Sequence, residues 1–145
     1  MAAESIFPGM GVSASGLRAE RYRLEVIAQN IANAHTTKGP GGQPYRRQVV
    51  QFEAALEGAL AERDGAPPRG VTVSGVVDDP TPFNEVFQPG HPDANEAGYV
   101  LMPNVNLPFE MVDMATSTRS YEANLAALKA FRRMGESALG IGGPS

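Results

Sequence analysis

The stretch from Met10 to Ala34, MGVSASGLRAERYRLEVIAQNIANA, decides how the rest of the sequence is interpreted. Apolar side chains recur along it at every seventh residue, at Met10, Leu17, Leu24 and Ile31, with Ile27 and Ala34 on a neighbouring line. A narrow apolar stripe with this period is typical of a helix that packs along another helix, as in a coiled coil. The stretch therefore predicts an N-terminal helix over residues 10–35, with one apolar face that packs against another helix.

A second helix of the same kind is predicted at the other end of the chain, over residues 106–140. Asn106 fits the N-cap position, and the glycines that begin at Gly140 fit the end of a helix. Two apolar lines run along this helix and then drift toward Phe131: Leu107, Met114, Tyr121 and Leu128 form the first, and Met111, Thr118 and Leu125 form the second. The two ends of the chain thus carry similar stripes.

Residues 36–105, between the two helices, have a different character. Proline and glycine are frequent there, and each residue that precedes a proline is disfavoured in a helix. Apolar and β-branched residues predict strands at 46–52, 71–77 and 99–102. The segment 54–63 has the composition of a helix but is short, and the sequence leaves its structure open.

These elements together predict an α+β fold. Long N- and C-terminal helices pair in a coiled-coil-like bundle, and a small module rich in strands and loops lies between them. Residues 1–9 are expected to form a flexible N-terminal segment, and residues 141–145 a tail.

Composition excludes several classes of protein. The net charge is −4 and no run of Lys or Arg is present, so the chain lacks the basic footprint of a nucleic-acid-binding protein. The absence of cysteine excludes disulfides and thiolate metal sites. No apolar stretch has the roughly 18 residues of a membrane-spanning helix, which argues against membrane insertion. The first residues also lack the basic and apolar regions of a cleavable secretory signal.

Few residues in the sequence are candidates for catalysis or metal binding. His91 and Asp93 invite a metal or catalytic interpretation, but His35 is the only other histidine and no acidic residue stands at a recognised spacing from both. The serines lack a Gly-x-Ser-x-Gly context, and the glycines at 39–42 lack the Lys-Ser/Thr of a phosphate-binding loop. We therefore predict a protein that is not an enzyme and has no cofactor, catalytic residue or metal site. A hydrolase or metalloprotein that uses His91 and Asp93 is the remote alternative.

The two stripes suggest assembly. Two helices that pair with each other cover only one face of each, and alanines on other faces of the C-terminal helix permit further helices to approach. We therefore expect each helix pair to pack against other pairs in a bundle or tube. The alternative is a soluble binding module in which the two helices close on each other with a β insertion.

The predicted subunit interface combines the two stripes with the amides near the end of the first helix. Asn30 and Asn33 have two interpretations: their amides satisfy backbone groups where the helix ends, or they contact a neighbouring subunit. The predicted interface residues are Met10, Leu17, Leu24, Ile27, Asn30, Ile31, Asn33, Met111, Met114, Tyr121, Leu125, Leu128 and Phe131.

Several motifs resemble those of one known family. Asn30-Ile31-Ala32-Asn33, followed by Thr36-Thr37 and Tyr45-Arg46-Arg47, resembles the end of the first helix in the axial proteins of the bacterial flagellum, which form its rod and hook. The runs 89–95, 98–100, 102–106 and 110–114 are similar to those of a rod protein of that family. The resemblance covers nearly the whole chain and is weakest over residues 54–70.

The resemblance implies a structural subunit of the proximal rod of the flagellar basal body. Such a subunit polymerises through its terminal helices and transmits torque from the motor to the hook and filament. Its implied partners are further copies of itself, the other proximal rod subunits, the hook-basal body complex protein at the rod base, and the distal rod. The implied location is the rod, which crosses the periplasm, reached through the flagellar type III export apparatus without a cleaved signal peptide.

Overall fold

A computed structural model describes residues 8–54 and 70–141. The order of its elements is α1 (Pro8–Ala32), β1 (Gln48–Ala54), β2 (Val71–Asp78), β3 (Asn84–Phe87), β4 (Tyr99–Met102) and α2 (Leu107–Ile141). Long terminal helices with strands between them confirm the predicted α+β class. Neither described helix is apolar enough along its length to cross a membrane. The predicted N-terminal segment and tail, and the undecided segment at 54–63, lie almost entirely outside the described residues.

Both helices occupy their predicted places, with small differences at the ends. α1 begins at Pro8, two residues earlier than predicted, because proline is tolerated in the first turn of a helix. It ends at Ala32 rather than at residue 35, where a turn closes with Thr36 N–H donating to the Asn33 carbonyl at 3.0 Å. α2 begins as expected: Asn106 Oδ1 accepts the backbone N–H of Phe109 at 3.2 Å, the contact of an N-cap.

The strands form two separate two-stranded sheets, β1 with β2 and β3 with β4. The three predicted strands are present, although β1 begins at Gln48 rather than at residue 46. β3 was not predicted, because only four residues between two prolines form it and all four are exposed. It pairs antiparallel with β4, with Phe87 opposite Tyr99 and Val86 opposite Val100.

The chain divides into two compact units. Among the described residues, the first unit contains 8–22, 52–54, 70–74 and 117–141, and the second contains 23–51 and 75–116. Each unit therefore contains part of α1 and part of α2.

In the first unit, small residues on α1 allow α2 to approach closely. A Cβ atom added at Gly16 would lie 3.0 Å from Asn124 Nδ2, and one added at Gly9 would lie 2.6 Å from the Phe131 ring. Ser15 holds the start of β2, since its hydroxyl accepts the Val71 N–H at 3.0 Å and donates to the Val12 carbonyl at 2.7 Å. The facing pairs run in opposite chain directions, so the helices are antiparallel in this unit.

The second unit has a core that is partly apolar and partly polar. Its buried apolar side chains among the described residues are Val26, Ile27, Ala34, Val100 and Pro103. Beside them Asn30, Asn104 and Glu110 are also buried. Buried polar groups cost free energy unless they are hydrogen-bonded, so the partners of these three residues decide how the unit holds together.

Candidate subunit interface

Glu110 is the centre of a polar cluster in the second unit. It lies in the first turn of α2 and is 0% exposed. Arg47 Nε donates to its Oε1 at 2.6 Å, and Asn30 Nδ2 donates to its Oε2 at 3.0 Å. Both carboxylate oxygens thus have a partner, which offsets the cost of burying the charge. The contacts connect the end of α1 and the residue before β1 to the start of α2.

Arg47 extends this cluster to the segment that follows β2. Its guanidinium also contacts Asp79 Oδ2 at 3.2 Å and Asp113 Oδ2 at 3.7 Å. Burial alone would lower the pKa of Arg47, but the hydrogen bonds and charges of Glu110 and Asp79 raise it above its ordinary value. The pKa of Asp79 is lowered, chiefly because Thr81 donates to its carboxylate from both its hydroxyl and its backbone N–H. Both shifts favour the charged forms of Arg47 and Asp79, which form an ion pair.

Asn104 joins the same segments through its amide. Its Oδ1 accepts the backbone N–H of Arg47 at 2.7 Å. Its Nδ2 donates to the carbonyls of Asp79 at 3.1 Å and Thr81 at 2.9 Å. One side chain thus satisfies backbone groups just before β1 and just after β2, where the Asp79 N–H also donates to the Arg47 carbonyl at 2.8 Å. Asn104 therefore extends the pairing of these two strands into the segments that flank them.

Asn30 is used within the protomer. Its Oδ1 accepts from Tyr45 Oη and from Gln48 N–H, each at 2.9 Å, and its Nδ2 donates to the Gln48 carbonyl at 2.9 Å as well as to Glu110. The side chain is 1% exposed and all four of its hydrogen-bonding positions are occupied. The backbone that it satisfies belongs to β1 rather than to the turn at the end of α1. Burial, with the nearby charges of Glu110 and Asp78, raises the pKa of Tyr45.

Asn33 follows the first of its two predicted interpretations. Its Nδ2 donates to the Gln29 carbonyl at 2.9 Å, so it satisfies a backbone group in the last turn of α1. Its Oδ1 accepts the Thr36 hydroxyl at 3.2 Å. The two asparagines of the Asn-Ile-Ala-Asn motif thus have different roles: Asn33 caps the helix, and Asn30 connects it to β1 and α2.

His91 and Asp93 stabilise a loop. The His91 Nδ1 accepts the backbone N–H of Asp93 at 3.1 Å, and the Asp93 carboxylate accepts from the Thr37 hydroxyl at 2.7 Å and from Lys38 Nζ at 3.2 Å. Those two donors lower the pKa of Asp93, with the Thr37 hydroxyl the stronger cause. Over residues 8–54 and 70–141, no group of three or more His, Cys, Asp or Glu side chains is placed to hold a metal ion.

The predicted interface residues fall into three groups by exposure. Ile27 and Asn30 are buried, and Met111 is exposed. The remaining ones are half-buried: Met10, Leu17, Leu24, Ile31, Asn33, Met114, Tyr121, Leu125, Leu128 and Phe131. The stripes are therefore partly covered within the protomer, and neither is fully shielded.

Two exposed apolar residues next to Met111, Phe109 and Val112, were not among the predicted interface residues. Phe109 is 69% exposed and Val112 is 62% exposed, beside Met111 at 61%. We call these three residues the Phe109 patch. Neither Phe109 nor Val112 lies on a heptad line, so the period of the stripe gave no signal for them. Phe109 and Val112 are neighbours one turn apart on α2, and Met111 lies beside Val112 on the adjoining side of the helix. Exposed apolar side chains grouped in this way are typical of surfaces that bind other proteins.

Two family models match the chain. One, described as flagella basal body rod protein, matches residues 10–40, and the other, described as flagellar basal body rod FlgEFG protein C-terminal, matches residues 96–141. They cover α1 with the turn after it, and β4 with α2. The class of protein that both describe is a rod protein of the flagellar basal body.

Curated relatives define the family more closely. The flagellar basal-body rod protein FlgC of Bacillus subtilis is 42% identical, with 94% of this chain and 97% of the relative aligned. FlgC of Yersinia enterocolitica is 44% identical over 81% of this chain and 83% of the relative, and FlgC of Borreliella burgdorferi is 37% identical over 94% and 97%. The chain belongs to the FlgC family of flagellar basal-body rod proteins. It is accordingly a structural protein of the basal body and not an enzyme.

Proposed function

We propose that this chain is a subunit of the proximal rod, polymerises through its terminal helices and transmits torque from the motor to the hook and filament. Membership of the FlgC family supports the rod itself. The position within the rod and the mechanical role are the proposal. The observation that carries it is the Phe109 patch, an apolar surface on a helix start that the Glu110 cluster holds in place.

The mechanism is mechanical rather than chemical. A subunit that passes on torque must resist shear between its own segments, because movement inside the subunit would absorb the rotation. The ion pairs of Arg47 with Glu110 and Asp79 connect the start of α2 to the residue before β1 and the residue after β2 in the second unit. Charge-assisted hydrogen bonds are shorter and stronger than neutral ones, and dense packing is poorly compressible. Neighbours then receive the load through apolar contacts that become buried on assembly.

The proposed partners are further copies of this chain, the other proximal rod subunits, the hook-basal body complex protein at the rod base, and the distal rod. The half-buried stripes of α1 and α2 and the Phe109 patch are the proposed contact surfaces. Export through the flagellar type III apparatus, without a cleaved signal peptide, belongs to the same proposal and rests on the resemblance to axial proteins.

Met111→Asp combined with Val112→Asp tests the proposal. Both side chains are mainly exposed, so the free energy of unfolding of the purified chain should change by less than about 0.5 kcal/mol. Assembly should fail, because a carboxylate would be buried without a partner at each contact. We expect cells that carry only this variant to lose swimming, and their purified basal bodies to lack the chain on immunoblots.

Gly41→Asp combined with Gln43→Asp is the matched control, since it adds the same two negative charges to exposed loop residues. It should leave swimming intact. Leu17→Asp and Leu125→Asp should also block incorporation, but both leucines are half-buried, so these variants disturb the protomer as well. Wild-type swimming and incorporation with the Met111/Val112 variant would reject the patch as an assembly surface.

A further inference from the structure

The two faces of the β3–β4 hairpin differ in exposure: one buries Val100, although Val86 beside it is 37% exposed, and the other is exposed at every residue. Residues directly opposite each other on paired strands share a face, so Val86 lies with Val100, and Phe87 lies with Tyr99. Val100 is 1% exposed, whereas Phe87 is 61% exposed. Glu85 and Leu101, also opposite each other, are exposed on the same side as Phe87. We call Glu85, Phe87, Tyr99 and Leu101 the hairpin face.

The hairpin face has the composition of a binding surface. The Phe87 and Tyr99 rings pack edge to face with their centroids 5.2 Å apart, which makes a preformed aromatic platform. Aromatic side chains dominate the energetics of protein interfaces and cost little side-chain entropy when they bind. A two-stranded sheet with one uncovered apolar face is only marginally stable, so a partner on that face would also stabilise the hairpin.

Charge restricts the chemistry of that partner. Residues 75–106 contain five acidic residues and no Lys or Arg. Asp79 and Asp93 are paired with Arg47 and Lys38. Glu85 lies on the hairpin face itself, and Glu96 is exposed just before β4. The complementary partner is therefore a surface that is apolar and basic.

The last part of α2 offers such a surface. Lys129 and Arg133 are exposed one turn apart on the same side of the helix, and Met134 and Leu139 are exposed near them, Leu139 to 80%. Lys129, Arg132, Arg133 and Glu136 line an open depression of about 390 Å³ on this surface. Arg132 is paired with Glu136 at 2.9 Å, and no ion pair among the described residues involves Lys129 or Arg133.

We propose that the hairpin face of one copy docks on the C-terminal part of α2, around Lys129 and Arg133, of a second copy. The proposal rests on the proposed function and names one of its contacts. Each copy contributes a different surface, so the contact is heterologous and does not close after two copies unless the geometry forms a ring. Successive copies can then add in one direction, as polymerisation requires.

Cysteine cross-linking in basal bodies tests the contact, because the natural chain contains no cysteine. Ala97→Cys places a thiol beside the hairpin face, and Ser137→Cys places one in the Lys129/Arg133 row; both positions are exposed. Oxidation of basal bodies from swimming cells that carry the double variant should give dimers and higher multimers of this chain on non-reducing gels. Ser137→Cys paired with Gln43→Cys is the matched control and should give about ten-fold less product.

Charge reversal provides a second measurement in the cross-linking background. Glu85→Lys with Glu96→Lys, or Lys129→Glu with Arg133→Glu, should each lower the cross-linked fraction about ten-fold, because attraction becomes repulsion across several partly exposed pairs. All four changes in one chain should restore most of the product, since every contact then meets the opposite charge again. If the four-fold variant instead gives less cross-linked product than either double variant, the two surfaces do not face each other.

The outcomes separate this contact from the proposed function. Cross-links between copies that follow the charge reversals support the proposal. Absence of cross-links between copies in cells that swim normally overturns the contact between copies and leaves rod assembly intact. Failure of rod assembly as such is measured independently by the Met111/Val112 variant.

Discussion

At the scale of single residues, Asn30 shows why an asparagine is required inside a small core. A buried amide can donate twice and accept twice, and here the Gln48 backbone uses two of these capacities, while the Tyr45 hydroxyl and the Glu110 carboxylate use one each. Aspartate would lose the donors and place a second charge beside Glu110. Glutamine would move the amide by one methylene. The identity of this residue follows from its contacts and not from the helix that carries it.

Asn30→Ala should lower the free energy of unfolding by about 2–4 kcal/mol, because Glu110, Tyr45 and the Gln48 backbone each lose a buried partner. Asn33→Ala is the matched control. It removes the same kind of side chain three residues later, where the hydrogen bonds of the side-chain amide are exposed or half-buried. This change should lower the free energy of unfolding by about 0.5–1 kcal/mol. Urea denaturation of the purified chains measures both. Equal losses would contradict the assigned role of Asn30.

At the scale of elements, the helices of the first unit depend on glycine where they meet. Glycine inside a helix costs roughly 0.5–1 kcal/mol relative to alanine. Gly16 nevertheless lies in the interior of α1, and a Cβ atom there would lie 3.0 Å from the Asn124 amide nitrogen, closer than an ordinary van der Waals contact. Glycine is therefore present at this position because it lets the two helices approach closely, although it lowers the helix propensity of α1.

Gly16→Ala and Gly11→Ala should have opposite effects on the thermal unfolding midpoint. Gly11 faces open space, so alanine there should stabilise the chain by about 0.5 kcal/mol. At Gly16 the added methyl must displace the Asn124 amide, and overpacking of this kind costs about 1 kcal/mol or more. Circular dichroism at the same protein concentration compares the two variants. A rise in the midpoint for both would refute close packing at Gly16.

At the scale of the whole molecule, local stability should differ between parts of a protomer that assembles. The second unit has a buried polar cluster and a buried Val100, whereas the last part of α2 leaves Met134 and Leu139 largely exposed. Regions with few buried contacts open locally at low free energy. Partners that cover such regions stabilise them by mass action.

Hydrogen exchange should show this difference directly. In dilute, full-length chain, amides after Arg132 should exchange about 100-fold faster than those near Val100, because fewer buried contacts hold the end of α2. In assembled basal bodies the same amides should become protected. Strong protection of the end of α2 in the dilute chain would contradict assembly-dependent ordering.

Much of the fold was predictable because its signals are local. The seven-residue period located α1 and α2, Asn106 marked the start of α2, and β-branched residues located β2 and β4. β3 escaped because four exposed residues between prolines carry no period, and its pairing with β4 alone makes it a strand. The resemblance to axial proteins depended on local motifs in the same way.

The sequence by itself determined the class of fold, the two terminal helices and the family. The tertiary structure decided which polar residues are buried together and which apolar residues remain exposed. Asn30 and Glu110 are 80 residues apart, and no periodicity connects them. Helix period and turn chemistry act over a few residues, whereas burial depends on segments that meet only when the chain folds. The Glu110 cluster, the Phe109 patch and the hairpin face are therefore properties of the folded chain.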